Sequence, residues 1–140
     1  MSIEPGRASL RVVAAAIFDD SGRILISQRT PGRELAGRWE FPGGKVAAGE
    51  SDPTALAREL AEELGIELRS ARKVMELTHP YPDKQVTLAF YSVADYRGEV
   101  SAREGQALRW LAPAELDDWD ILEADRPFVL ALQSAAGSAS

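Results

Sequence analysis

The sequence predicts an α+β fold in which helices flank a mixed β-sheet, an α/β/α sandwich. Three observations carry that expectation. Short apolar or alternating segments bounded by turn residues outnumber helical ones. One capped amphipathic helix lies mid-chain, between Asp52 and Gly65. A second amphipathic segment follows Asp125-Arg126-Pro127 near the end. Strands and helices interspersed in this way bury their apolar faces by layering helix on sheet.

At 140 residues the chain makes a single domain over 1–140, with a core over about 10–132. Met1–Ser9 reads as a loose leader and Ala135–Ser140 as a small, polar, frayed tail. The net charge of −6 excludes a dedicated binder of polymeric nucleic acid, which needs a basic stripe. A free nucleotide held through a metal needs none. The absence of cysteine excludes disulfides, zinc thiolates and thiol nucleophiles. No apolar run approaches about 18 residues, so no membrane partner is expected and the expected location is the cytoplasm. The chain is expected to act as a monomer or homodimer.

The elements follow in order. Leu10–Phe18 is apolar and β-branched, a buried strand. Asp19-Asp20-Ser21-Gly22 is a turn, and Ile24–Ile26 returns as a second strand, making a hairpin. Arg29 lies where the chain leaves the sheet, and its guanidinium suits a phosphate or base edge. Thr30–Arg38 is a polar loop. In Trp39-Glu40-Phe41-Pro42-Gly43-Gly44-Lys45 the aromatics flank an acid, and the glycines permit close backbone approach to a ligand or metal. Phe41 and Lys45 are candidates for substrate contact.

Beyond the central helix, Lys73–His79 and Gln85–Val93 are strands joined by a turn at Pro80–Asp83. His79, the only histidine, is more readily structural than substrate-binding. Asp95–Glu99 is a turn region, Val100–Gln106 a polar loop, and Ala107–Leu111 a short strand. Pro113 starts a short helix, and Asp125 caps the last one.

The central helix carries the chemistry. Asp52 caps it, Pro53 occupies an early position, and Gly65 stops it. At about 100° per residue, with Glu59 at zero, Glu63 lies near +40° and Glu62 near −60°. Leu56, Leu60 and Leu64 form the buried stripe, with Ala57 and Ala61 beyond them. The acidic arc therefore borders the core instead of lying opposite it. Three carboxylates so placed repel one another unless a cation sits among them, and hard oxygen donors suit Mg²⁺ or Mn²⁺. A solvated helix face, with Arg58 paired to Glu62, is the competing explanation.

The spacing weighs against that explanation. From Gly44 the chain fits G-x5-E-x7-R-E-U-x-E-E-x-G-U, where U is bulky and aliphatic. The matching residues are Gly44, Glu50, Arg58, Glu59, Leu60, Glu62, Glu63, Gly65 and Ile66. This pattern resembles the Nudix box, and from Leu10 to Leu132 the chain is similar to the MutT branch of that family. The resemblance implies the Nudix α/β/α sandwich. It implies metal ligands at Glu59, Glu62, Glu63 and the Gly44 carbonyl, with Glu104 as a further carboxylate that binds metal or activates water. It implies that Arg58 steadies the acids, partly through Glu50, and that Arg29 contacts nucleotide. The implied reaction is cleavage of a nucleoside triphosphate between the α and β phosphates, giving monophosphate and pyrophosphate. Glu59, Glu63 and Glu104 remain alternative bases.

One position departs from the MutT pattern: Asp125 stands where sanitising enzymes of that branch carry an asparagine that reads 8-oxoguanine. Asp125 could cap the helix, read a purine when protonated, or accept from the N4 amine of cytosine when ionised. The implied substrate is 8-oxo-dGTP, with CTP or a 5-substituted pyrimidine triphosphate as the alternative. A catalytically inactive nucleotide-sensing domain is the alternative of another class; loss of a box acid would mark it, and none is lost.

Overall fold

The computed structural model describes residues 8–138. Its strands are β1 (Ala8–Ile17), β2 (Ile24–Gln28), β3 (Trp39–Glu40), β4 (Gly43–Lys45), β5 (Glu67–Pro80), β6 (Lys84–Arg97) and β7 (Leu108–Leu111). The α-helices are α1 (Asp52–Leu64) and α2 (Arg126–Ser138), with 3-10 turns at Pro113–Asp118 and Glu123–Asp125. The strands form two sheets, in the orders β4-β1-β6-β5 and β3-β2-β7.

β1 explains the layering. It runs parallel to β6 and antiparallel to β4, and Val13–Ile17 is buried throughout. Val13, Ala15 and Ile17 pack with Leu56, Leu60 and Leu64 of α1. Ala14 and Ala16 join Phe90, Phe128 and Leu132. Alternation along one strand thus covers both faces with helix, as an α/β/α sandwich requires. A strand buried on both faces reads as a continuous apolar run.

The β1–β2 hairpin is corrected. Only the Phe18↔Ile24 bridge joins the two strands, which then separate into different sheets. Both edges of β1 are taken by β4 and β6, and both edges of β2 by β3 and β7. Gly43–Lys45 is an edge strand. A Cβ at Gly43 would collide with the Val13 carbonyl oxygen, so glycine lets the two backbones meet.

β5 and β6 are longer than their patterns suggest. Register shifts between Leu68 and Ser70, Ser70 and Arg72, and Lys73 and Met75 break the alternation that marks a strand. β6 runs on to Arg97, so the 95–99 turn is confined to the segment around Gly98.

Three terminal assignments also change. Ser51, not Asp52, caps α1, its Oγ accepting the Thr54 N–H at 3.3 Å. The Asp52 carboxylate is drawn instead to Arg11. Ala55 lies in the buried stripe of α1, whereas Ala61 is exposed. Helix α2 extends to Ser138, which absorbs most of the expected tail. Most of the expected leader, and residues 139–140, lie outside the described residues. Ala8 and Ser9 belong to β1. Among the described residues no helix is long and apolar enough to cross a membrane.

Candidate active site

The orientation of α1 is set by its leucines. Leu56, Leu60 and Leu64 are fully buried, each worth about 1.5–3 kcal/mol. The solvent-screened Arg58–Glu62 pair at 3.6 Å adds little by comparison. Burial of the stripe therefore fixes which way the acids face. Glu59 and Glu63 turn toward β4, and both line a cavity of about 590 Å³. Glu104, Arg29, Phe41, Gly44, Lys45 and Asp125 line the same cavity. Glu62 is more than half exposed and lies outside this lining.

Gly44 explains how Glu59 reaches the wall. A Cβ there would meet the Glu59 carboxylate, so glycine lets that carboxylate lie against the β4 backbone. Glu63 Oε2 accepts the Gly43 N–H at 3.1 Å. Arg58 organises the outer side. Its Nε and Nη2 donate to the two Glu50 oxygens, each at 2.9 Å, and Nη1 donates to Glu59 at 2.9 Å. Nη2 also reaches the Lys45 carbonyl at 3.0 Å. Arg58 thus ties helix, loop and β4 together and pulls the Glu50 carboxyl down to about 2.

The electrostatics divide the cavity into two groups. Burial pushes Glu63 up to about 8, reinforced by Glu59, Glu104 and Glu40 and opposed by the Gly43 N–H. Glu59 is also raised, mainly by burial, with Arg58 opposing. In the second group, Asp125 is buried and pushed up to about 7. Burial is again the main cause; the Phe41 N–H and Arg29 oppose it, and Glu40 adds to it. Glu40 touches both groups electrostatically.

Asp125 immediately precedes α2. Its Oδ2 accepts the Phe41 N–H at 3.2 Å across the molecule. Phe41 itself is buried, edge-on to Phe128 at 4.9 Å. It therefore presents its backbone, not its ring, to this carboxyl. Arg29 donates Nη1 to Glu40 at 2.7 Å and Nε to the Glu34 carbonyl at 2.7 Å. Lys45 lines the wall with an exposed side chain.

Sequence reasoning passed over Glu40 as a functional group. It lies between two buried aromatics and is held by Arg29 and by Arg33, the latter at 3.3 Å. The Trp39-Glu40-Phe41 alternation was the available signal. Glu34, Tyr81, Lys84 and Gln106 also line the cavity. Tyr81 and Lys84 sit in the β5–β6 turn, and Lys84 pairs with Glu34 at 3.1 Å. His79 stands outside the lining, its ring 4.8 Å from that of Tyr81.

The donors suit a hard divalent cation: carboxylates of Glu59, Glu63 and Glu104, and a carbonyl beside a glycine that leaves space for them. Among the described residues no three acidic, histidine or cysteine side chains converge tightly enough to hold a metal as they stand. Arg58 holds Glu59 and Glu62 on the outer side.

The NUDIX domain family model matches residues 13–131. A Haemophilus influenzae protein named 8-oxo-dGTP diphosphatase is 41% identical over 108 residues, covering 77% of this chain and 79% of the relative. An Escherichia coli protein named CTP pyrophosphohydrolase is 39% identical over 122 residues, covering 87% of this chain and 90% of the relative. Among solved structures, the solution structure of the E. coli ORF135 protein superposes with a TM-score of 0.85 at 36% identity, covering 98% of this chain and 97% of that one.

Proposed function

The chain belongs to the NUDIX family, and from that premise we propose that it hydrolyses nucleoside triphosphates between the α and β phosphates, with 8-oxo-dGTP as the first substrate. Water adds at phosphorus, the bridging P–O bond breaks, and a monophosphate and pyrophosphate leave. The observation that carries this reading is the joining of two groups in one cavity: the carboxylates of Glu59, Glu63 and Glu104, and the buried carboxyl of Asp125 beside Arg29.

Nudix hydrolases use divalent metal ions; here Mg²⁺, or Mn²⁺ in its place, would be held by Glu59, Glu62, Glu63, Glu104 and the Gly44 carbonyl. Such an ion offsets phosphate charge and lowers the pKa of bound water. The chain's own groups supply the rest. Arg29 and Lys45 meet phosphate oxygens or the base edge. A carboxylate beside the attacking water takes its proton, and Glu59, Glu63 and Glu104 are the three available. Arg58 and Glu50 keep Glu59 from swinging away. The substrate is a free nucleotide, which fits the expected cytoplasmic location.

Asp125 favours the purine. Near neutral pH a carboxyl raised to about 7 is partly neutral. A neutral carboxyl both donates and accepts, so it can meet O6 and N7–H of 8-oxoguanine together. The ionised form only accepts, and would take the N4 amine of cytosine. CTP is therefore the second reading.

Pyrophosphate release from 8-oxo-dGTP, dGTP, CTP and 5-methyl-dCTP with Mg²⁺ tests the proposal. Fastest turnover of 8-oxo-dGTP is expected. CTP turned over well ahead of it would replace the substrate assignment. Binding without turnover of any nucleotide would make the chain a nucleotide sensor.

A further inference from the structure

We infer that Gln106 and Arg103 are positioning residues that set Glu104 against Glu59 and Glu63 by splicing the 101–106 segment onto the open end of α1. The inference rests on the proposal that Glu104 acts with the helix acids.

The last carbonyls of an α-helix have no partner within the helix. In α1 they are the attachment points of the segment that carries Glu104. The Leu64 carbonyl accepts the Ser101 N–H at 3.0 Å and the Ser101 hydroxyl at 3.3 Å. The Glu63 carbonyl accepts the Arg103 N–H at 3.0 Å and Gln106 Nε2 at 3.0 Å. The Gln106 side chain then turns back, and its Oε1 accepts the Glu104 N–H at 2.9 Å. One planar amide thus spans from the backbone of Glu63 to the backbone of Glu104. Its donor and acceptor lie on one rigid group, so it fixes the separation of the two residues. Gly105, at φ +74°, supplies the left-handed turn that brings Gln106 back.

Arg103 lies against the same joint from the other side. Its guanidinium lies over Gly65, where any Cβ would collide with it. α1 has no basic residue in its last turn. Arg103 supplies the cation that the negative helix end favours. Glu104 itself is an exposed side chain on this segment, so its placement depends on how the backbone beneath it is held. A catalytic group left loose by about 1 Å can lose about 10²-fold in rate.

The test compares Q106L, Q106N, R103M, R103K and E104Q in the full chain, with Mg²⁺ and a turned-over nucleoside triphosphate. Q106L is expected to lower kcat by about 10- to 100-fold with KM little changed. R103M follows in the same direction, and R103K recovers part of the loss. E104Q/Q106L is expected to be no slower than E104Q alone, since Gln106 acts through Glu104. In nucleotide-free, metal-free protein, the amides of 101–106 exchange hydrogen faster in Q106L and R103M, while the melting temperature stays near wild type. Wild-type kcat and exchange in Q106L and R103M, alongside a slow E104Q, would overturn the inference and leave the function of Glu104 standing. Losses that multiply in E104Q/Q106L would also overturn it. A wild-type rate for E104Q would remove Glu104 from the chemistry and the inference with it.

Discussion

The two groups in the cavity are built in different ways. Glu59 and Glu63 stand one turn apart on a single helix, against two glycines at most 20 residues upstream. Asp125, Arg29, Phe41 and Tyr81 come from four separate segments, brought together by the pairing of β2 with β3 and by the β5–β6 turn. The first group depends on helical spacing, which any local change in α1 would leave largely intact. The second depends on tertiary packing, and a single contact at 3.2 Å, from the Phe41 N–H to Asp125, ties its ends together. Under the proposed function, reaction type rests on the rigid part and base choice on the assembled part.

The largest effect should come from the rigid part. Glu63→Gln and Glu59→Gln are each expected to lower kcat by about 10²–10⁴-fold, measured by pyrophosphate release. Circular dichroism should show the fold unchanged, since Leu56, Leu60 and Leu64 still orient α1. Near wild-type turnover in both variants would detach the helix acids from the reaction and dissolve the contrast between the groups.

This contrast also explains what the sequence could tell. The acids and Arg58 share one helix, Glu50 lies in the loop before it and Gly44 in β4, so rotation per residue and the fixed spacing of the box were enough to relate them. The tie between Arg58 and Glu50 was implied by the resemblance, not by the spacing alone. The hairpin failed because edge pairing is decided by β4 and β6, which lie far along the chain from the β1–β2 turn. Asp52 looked like a cap because Asp caps helices. Its long-range partner, Arg11, was 41 residues away and invisible to local rules. Tyr81 and Lys84 carry no local signature at all; they line the cavity only when the β5–β6 turn meets the 29–38 loop.

The next effect concerns the assembled part. Asp125→Asn replaces a titrating carboxyl with an amide that always both donates and accepts. The ratio of 8-oxo-dGTP to CTP turnover is expected to rise by about 5- to 150-fold, the range set by 1–3 kcal/mol of base discrimination. In the wild type this ratio should climb as pH falls through about 7, where Asp125 takes a proton. In the variant it should stay flat. The same group tilts stability. Its carboxyl is raised from 3.8 to about 7 by burial, so the folded state holds the proton more tightly than the unfolded chain. In the metal-free protein the Asp125 contribution should be lost as pH rises from 3.8 to about 7, while that of Glu63 runs on to about 8, and Asp125→Asn should remove only the first part of the slope. An unchanged slope and an unchanged substrate ratio would return Asp125 to a purely structural role.

The smallest effect tests whether the rigid part needs its anchor. Arg11 donates to both Asp52 oxygens, at 2.7 and 2.6 Å, and to Glu76 at 2.8 Å. The Tyr91 hydroxyl adds a bond to Asp52 at 3.2 Å. These contacts pin the first turn of α1 to β1 and β6. Arg11 draws the Asp52 carboxyl below its usual range, so the contribution is present above pH 3.8 and lost as pH falls through the lowered value. Arg11 is partly exposed, and solvent screening limits the contribution to about 1 kcal/mol. Arg11→Met should therefore lower the melting temperature by about 2–4 °C near neutral pH. Asp52→Asn should cost a similar amount, and the double variant little more than either, because one interaction is removed in each case. Turnover should stay close to wild type, since the leucine stripe still sets the rotation of α1 and the Arg58 fork still holds Glu59. If Arg11→Met instead slowed turnover while barely moving the melting temperature, the helix would need its far end held for the acids to align. The rigid group would then depend on tertiary contacts as much as the assembled one does.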